Sequence, residues 1–180
     1  TFHFSPKAHK SMTHDRDEGW KRETDKYVEG IKPMIKGKRL SAVLLQFPYS
    51  FHYTEENRSY LAGLCDHLGG THSLPLVVEF RNAEWNRDSV TEELKSRRIG
   101  FVVPDSPDLY NLPTTESVVT SGIAYFRFHG RNKSNWWTGD NTTRYDYLYS
   151  YEELNGLLPI LNTMAQESTR LYIAFNNHHK

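Results

Sequence analysis

Glu79 and Arg81 close the run Leu76-Val77-Val78-Glu79-Phe80-Arg81, setting a carboxylate and a guanidinium two residues apart at the end of an apolar, β-branched stretch. Side chains alternate along a strand, so Val77, Glu79 and Arg81 share one face and Val78 and Phe80 the other. A structural ion pair at a strand end would explain that pair alone. The design recurs, however: Lys7, Gln46, Asp105, Arg127, His129 and Asn176 also stand at the ends of strand-like runs. Within each run bulky apolar residues hold the opposite parity, namely Phe4, Phe47, Phe80, Val102, Phe128 and Phe175.

This set can do acid–base chemistry. Glu79 and His129 are candidates for proton exchange, the imidazole titrating near neutral pH, and Asp105 would orient a base or a hydroxyl. Lys7, Arg81, Arg127 and Arg131 bring an excess of positive charge suited to phosphate or carboxylate. Gln46, Asn176 and Asn177 would bind hydroxyls, and His14, in a loop after a strand, can reach the same region. Trp136 and Trp137 are loop aromatics of the kind that stack on sugars or bases, whereas Trp20 and Trp85 read as packing residues. Glu79, Asp105 and His129 also form a carboxylate–imidazole set able to hold a divalent metal, though no close-spaced ligand motif accompanies them. No other cofactor is indicated. The alternative to a site is a polar plug of internal salt bridges. Burying so many charges costs several kcal/mol per ion, at about that order, unless the pairing is close to ideal.

The elements that must position these residues alternate. Phe2 to Lys7 reads as a strand, followed by a loop with Thr13 and His14 and a helix from about Trp20 to Ile35 that Gly37 ends. Leu40 to Phe47 is an almost wholly apolar strand, as in a parallel sheet buried on both faces. Thr54 caps a helix over Glu55 to Leu68. Leu76 to Phe80 is the next strand. Ser89-x-x-Glu92 is a capping box for a short helix to about Arg98, and Ile99 to Val103 is a strand ending at Pro104-Asp105. A loop from Ser106 to Ser121 precedes the strand Ile123 to His129. Loops as long as the polar, aromatic stretch Gly130 to Tyr147 are usually functional or disordered in compact domains, and its aromatics favour an ordered lid. Ser150-x-x-Glu153 caps a helix to about Ala165, with Pro159 inside it, and Leu171 to Phe175 is the last strand. Strand–helix alternation predicts an α/β fold with a parallel sheet, either open and doubly wound or closed as a barrel. No glycine-rich phosphate loop follows any strand, which counts against the nucleotide-binding open sheets.

Composition narrows the partners. The 180 residues carry 22 acidic and 22 basic side chains, so no global field argues for nucleic acid or a membrane surface. A small, anionic substrate is the expected partner. Cys65 is the single cysteine; it leaves no intramolecular disulfide framework or thiolate cluster and suits a reducing, cytoplasmic setting. No apolar run reaches the roughly 18 residues of a membrane span. Both ends of the chain read as cut, which predicts a piece of a longer protein.

The segments Phe4-Ser5-Pro6-Lys7 with Thr13-His14, Leu45-Gln46-Phe47-Pro48, Val78-Glu79-Phe80-Arg81 with Trp85, Asp105, Arg127-Phe128-His129-Gly130-Arg131, Tyr145-x-Tyr147 and Phe175-Asn176-Asn177-His178 occur in the order seen in the YecE-like family, domain of unknown function 72, which the chain resembles over essentially its whole length. The resemblance implies a (β/α)8 TIM-barrel-like fold, related to sugar isomerases, with six of eight strands in this chain. The missing two would be the first two, carrying a Gly-Thr-Ser-Gly-Trp-like and a Glu-x-Asn segment. It also implies that the polar strand ends line the C-terminal mouth, where barrel enzymes keep their active sites. The expectation is an enzyme acting by acid–base chemistry on a small anionic or sugar-like substrate, sugar phosphates included. The alternatives are a metal-dependent phosphoester hydrolase that could act on nucleic acid and a non-catalytic ligand-binding module.

Overall fold

Strand–helix alternation is what the computed structural model shows; it describes residues 2–179. These divide into two units, one up to Trp85 and one from Asn86 onward. Each is α/β, and the five strands among the described residues are all paired in parallel.

In the first unit, helix α1 (Trp20–Lys36) and helix α2 (Glu55–Cys65) flank strands β1 (Val43–Gln46) and β2 (Leu76–Glu79). The strands pair in register from Val43 with Leu76 to Gln46 with Glu79. Both are almost fully buried, as their unbroken apolar runs require. Thr54 caps α2 as expected, its hydroxyl accepting from Asn57 N–H. The helix then widens into a π-helical turn over Asp66–Thr71. An aromatic slab lies beside the strands: Phe47 stacks on Phe51 at 4.1 Å, and Phe51 and Phe80 stack on Trp85 at 5.0 and 4.4 Å. The Trp85 indole N–H donates to Phe51 O at 2.6 Å, so Trp85 is a packing residue.

The strand expected over Phe2 to Lys7 forms only two isolated parallel bridges, Phe4 with Leu40 and Lys7 with Leu44. Three residue steps on one side face four on the other, so the register slips by one. Pro6 explains the slip. A regular ladder would need a donor at that position, and proline has none. Five strands, not six, therefore stand among the described residues.

In the second unit β3 (Gly100–Asp105), β4 (Ile123–Phe128) and β5 (Arg170–Phe175) pair in parallel, with α3 (Asp88–Ser96), the one-turn α4 (Asn141–Arg144) and α5 (Tyr151–Glu167) as helices. β3 runs two residues beyond the expected end, through Pro104 to Asp105. The capping box at Ser150 is complete, with both reciprocal bonds to Glu153. The one expected at Ser89 is not: α3 starts at Asp88, with Arg87 in the capping position and no side-chain cap. Phe126 and Phe128 are buried and pack on each other at 4.8 Å, and Phe128 stacks on Phe175 at 4.4 Å. Phe175 itself is 61% exposed and Phe4 39%, unlike Phe47, Phe80, Val102 and Phe128, which are buried as parity predicts. Among the described residues no helix is long and apolar enough to cross a membrane.

Candidate functional site

Parallel strands deliver their C-terminal ends to one edge, and in each unit the expected polar residues collect there. In the first unit Gln46 and Glu79 are the last residues of β1 and β2 and are register partners. Glu79 is fully buried, and Arg81 Nε stands 2.6 Å from its Oε1. The alternation that put both on one face thus becomes an ion pair. Gln46 Nε2 donates to Phe47 O at 3.4 Å. Immediately after Arg81, the buried Asn82 accepts from Glu84 N–H at 2.9 Å and donates to Tyr49 O at 3.0 Å, tying the β2 end to the loop after β1. Nothing beyond the general turn preference of asparagine marked it in the sequence.

Lys7 stands in the second bridge, opposite Leu44, is exposed and makes no ion pair among the described residues. Close to it is His14, in a π-helical turn over Ser11–Asp15 whose Thr13 side chain is buried and holds His14 Nδ1 at 2.8 Å through its hydroxyl. The His14 pKa is lowered, first by loss of hydration and then by the positive charge of Lys7, with Arg16 and Lys10 adding to it and Asp15 opposing. Arg16 is fixed by a bond to Asn57 Oδ1 at 2.6 Å, with its guanidinium 4.9 Å from the centre of the Phe51 ring. The result is a neutral imidazole among cations at the strand-end side of the unit.

In the second unit Asp105 ends β3, Arg127 and His129 lie at the end of β4, and Asn176 follows β5. Asp105, Arg127 and His129 are all buried. Arg127 Nη2 donates to Asn176 Oδ1 at 2.6 Å; register places Arg127 opposite Ala174, two residues before Asn176 on the same face. Asp105 accepts from Arg131 in a two-pronged contact, Nη2 to Oδ1 at 2.6 Å and Nε to Oδ2 at 3.1 Å. Tyr149 donates its hydroxyl proton to Asp105 Oδ2 at 2.5 Å and accepts from Gly130 N–H at 2.9 Å. Burial and the neighbouring carboxylate push the Tyr149 pKa far up, so it stays a donor. The Asp105 bond in turn holds the Arg131 pKa above its ordinary value. Arg131 also reaches Glu153 Oε1 at 3.4 Å, where Tyr147 donates its hydroxyl at 2.5 Å. Burial raises Glu153, but the bonds from Tyr147 and Ser150 N–H and the charge of Arg131 outweigh it, and its pKa is lowered.

Arg131 is therefore a partner of Asp105, and both carboxylate oxygens of Asp105 are engaged. Tyr149 and Glu153 were missed among the sequence candidates. Their signal was present: Tyr147-x-Tyr149 alternates directly ahead of the Ser150 capping box. Gly130 makes the turn close, at φ +82°, where a Cβ would stand 2.6 Å from Tyr147 Cβ. The stretch after it is ordered by bonds to backbone carbonyls: Tyr147 N–H donates to His178 O, His178 N–H to Tyr145 O, and the Asn177 side-chain Nδ2 to Tyr147 O. Trp136 is buried, edge-on to Tyr145 at 6.0 Å, and so packs the loop; Trp137 is 48% exposed.

A family model described as "Protein of unknown function DUF72" matches residues 1–180. The "UPF0759 protein YunF" of Bacillus subtilis (strain 168) is 32% identical over 194 residues, covering 99% of this chain and 68% of that protein. A crystal structure of a DUF72 family protein from Thermotoga maritima MSB8 superposes with a TM-score of 0.90 at 35% identity, over 99% of this chain and 68% of the other. One from Enterococcus faecalis V583 gives 0.84 at 26% identity, over 99% and 72%.

Proposed function

The chain belongs to the DUF72 family, and for it we propose an enzyme of TIM-barrel type that binds a small anionic or polyhydroxylated substrate at its strand ends and acts on it by proton transfer. The observation that carries this reading is Lys7, an exposed ammonium at a strand-end position with no ion pair among the described residues, set beside a neutral His14. An ammonium there attracts an anionic group, and an imidazole deprotonated near neutral pH is ready to accept a proton. In the first unit Gln46 would bind hydroxyls, Arg81 would add charge to the anion contact and Glu79 would exchange protons; the second unit carries the same residue types at its own strand ends, in Asn176, Arg127 and His129. Asp105 has the narrower role of holding Arg131 and Tyr149. With both its oxygens so occupied, Asp105 is not offered to a metal ion.

The test is calorimetric titration with inorganic phosphate and with a sugar phosphate. Lys7→Gln keeps a hydrogen-bonding side chain but removes the charge, and should weaken binding by about 1.5–3 kcal/mol, the range of a charge-assisted hydrogen bond. Absence of binding at millimolar ligand, or equal binding by the variant, would overturn the assignment.

A further inference from the structure

Away from the strand-end residues, three metal-ligating side chains of the first unit converge. His67 Nε2 lies 2.8 Å and His72 Nε2 3.0 Å from the same atom, Asp25 Oδ1. Among the described residues this is the one group of three histidine, cysteine or acidic side chains whose ligand atoms all lie within 4.8 Å of one another. We infer that Asp25, His67 and His72 form a binding site for one divalent transition-metal ion of the zinc class, joining α1 to the π-helical turn that ends α2.

The backbone explains the convergence. Residues five apart in an α-helix point about 140° away from each other, at 3.6 residues per turn. His67 lies within the π-helical turn Asp66–Thr71 and His72 follows it directly. Bonding from i to i+5 widens the turn beyond the 3.6 residues of an α-helix, so five steps overshoot one full turn by much less and the two imidazoles come to one side. Their rings stand 5.1 Å apart and at 85° to each other, which lets both Nε2 atoms aim at one point. Asp25 meets them from α1, and Trp20, one and a half turns earlier on that helix, packs edge-on against His67 at 5.8 Å.

The donor set selects the ion. Two imidazole nitrogens and a carboxylate oxygen suit zinc, copper, nickel or cobalt, whereas calcium and magnesium take oxygen ligands. Zinc bonds of about 2.0–2.1 Å place tetrahedral ligand atoms roughly 3.3 Å apart. The two Asp25–imidazole separations, 2.8 and 3.0 Å, need to open by only a few tenths of an ångström, with the proton of each imidazole moved from Nε2 to Nδ1 by exchange through solvent. Both Nε2 atoms already face the Asp25 carboxylate, so the three donors point at one place. Asp25 is about half exposed and the histidines are largely covered, leaving a solvent side for water as the fourth ligand.

Zinc alone is the probe, titrated calorimetrically into the intact chain in chelator-free buffer, with cobalt absorption in the visible as the coordination readout. One equivalent should bind, and Asp25→Asn, His67→Gln and His72→Gln should each weaken it by about tenfold or more and abolish the cobalt bands. His179→Gln, in a different Asp–His pair, should leave both unchanged. Circular dichroism melting checks that each variant is folded, and any one folded variant suffices. No zinc binding by the wild type would overturn the inference and leave a hydrogen-bonded clasp. So would a stoichiometric site that survives Asp25→Asn and His67→Gln.

Discussion

Asp105 shows what burial does to a single residue. A carboxylate 1% exposed is tolerable only when its oxygens are satisfied, and Arg131 and Tyr149 satisfy both. Arg131→Ala should destabilise the chain by about 2–4 kcal/mol; the Arg131 side chain is 31% exposed, which trims the cost of breaking a fully buried pair. Urea unfolding measures it, and a loss below about 0.5 kcal/mol would show that Tyr149 alone suffices. The pairing also shows why parity was an incomplete guide to role. Arg131 and Arg127 were indistinguishable as strand-end cations, but one is bound to a carboxylate and the other donates to an amide oxygen.

Helix α5 and the turn after β4 depend on particular residues whose effects are local. Ser150→Ala removes one arm of a complete capping box and should cost about 1 kcal/mol. Gly130→Ala should cost more. Left-handed backbone is unfavourable for a residue with a Cβ by roughly 1–2 kcal/mol, and the new carbon would collide with Tyr147 Cβ unless the backbone moves. The two melting curves therefore order as wild type, Ser150→Ala, Gly130→Ala. An alanine at 130 as stable as wild type would mean the turn is not closed as described.

Across the whole molecule, acidic and basic residues balance, so attraction of an anion must come from local fields. The same local field acts on stability. The folded His14 pKa lies below its ordinary value, so the unfolded chain takes up the proton first as pH falls. Its contribution is intact above about pH 7.5 and is lost as pH drops through the unfolded value near 6.5 to the lowered folded one. His14→Gln should flatten that part of the stability–pH curve, and Lys7→Gln should raise the His14 pKa in an NMR titration. An unchanged pKa would place the Lys7 charge out of reach of the ring.

The sequence by itself determined the α/β class, the positions of the longer helices, the burial of β1 to β4 and the collection of polar residues at strand C-terminal ends, because strand alternation and helix periodicity are written in neighbouring residues. It also determined the family, through short motifs in fixed order. Only the tertiary structure decided who partners whom. Arg131 with Asp105, Asn176 with Arg127 and Tyr149 with Gly130 are pairings across 19 to 49 residues, which no local pattern encodes. The slip at Pro6 and the π-helical turn that brings His67 to His72 were likewise invisible, since each is a hydrogen-bonding choice the backbone makes only once its neighbours are in place.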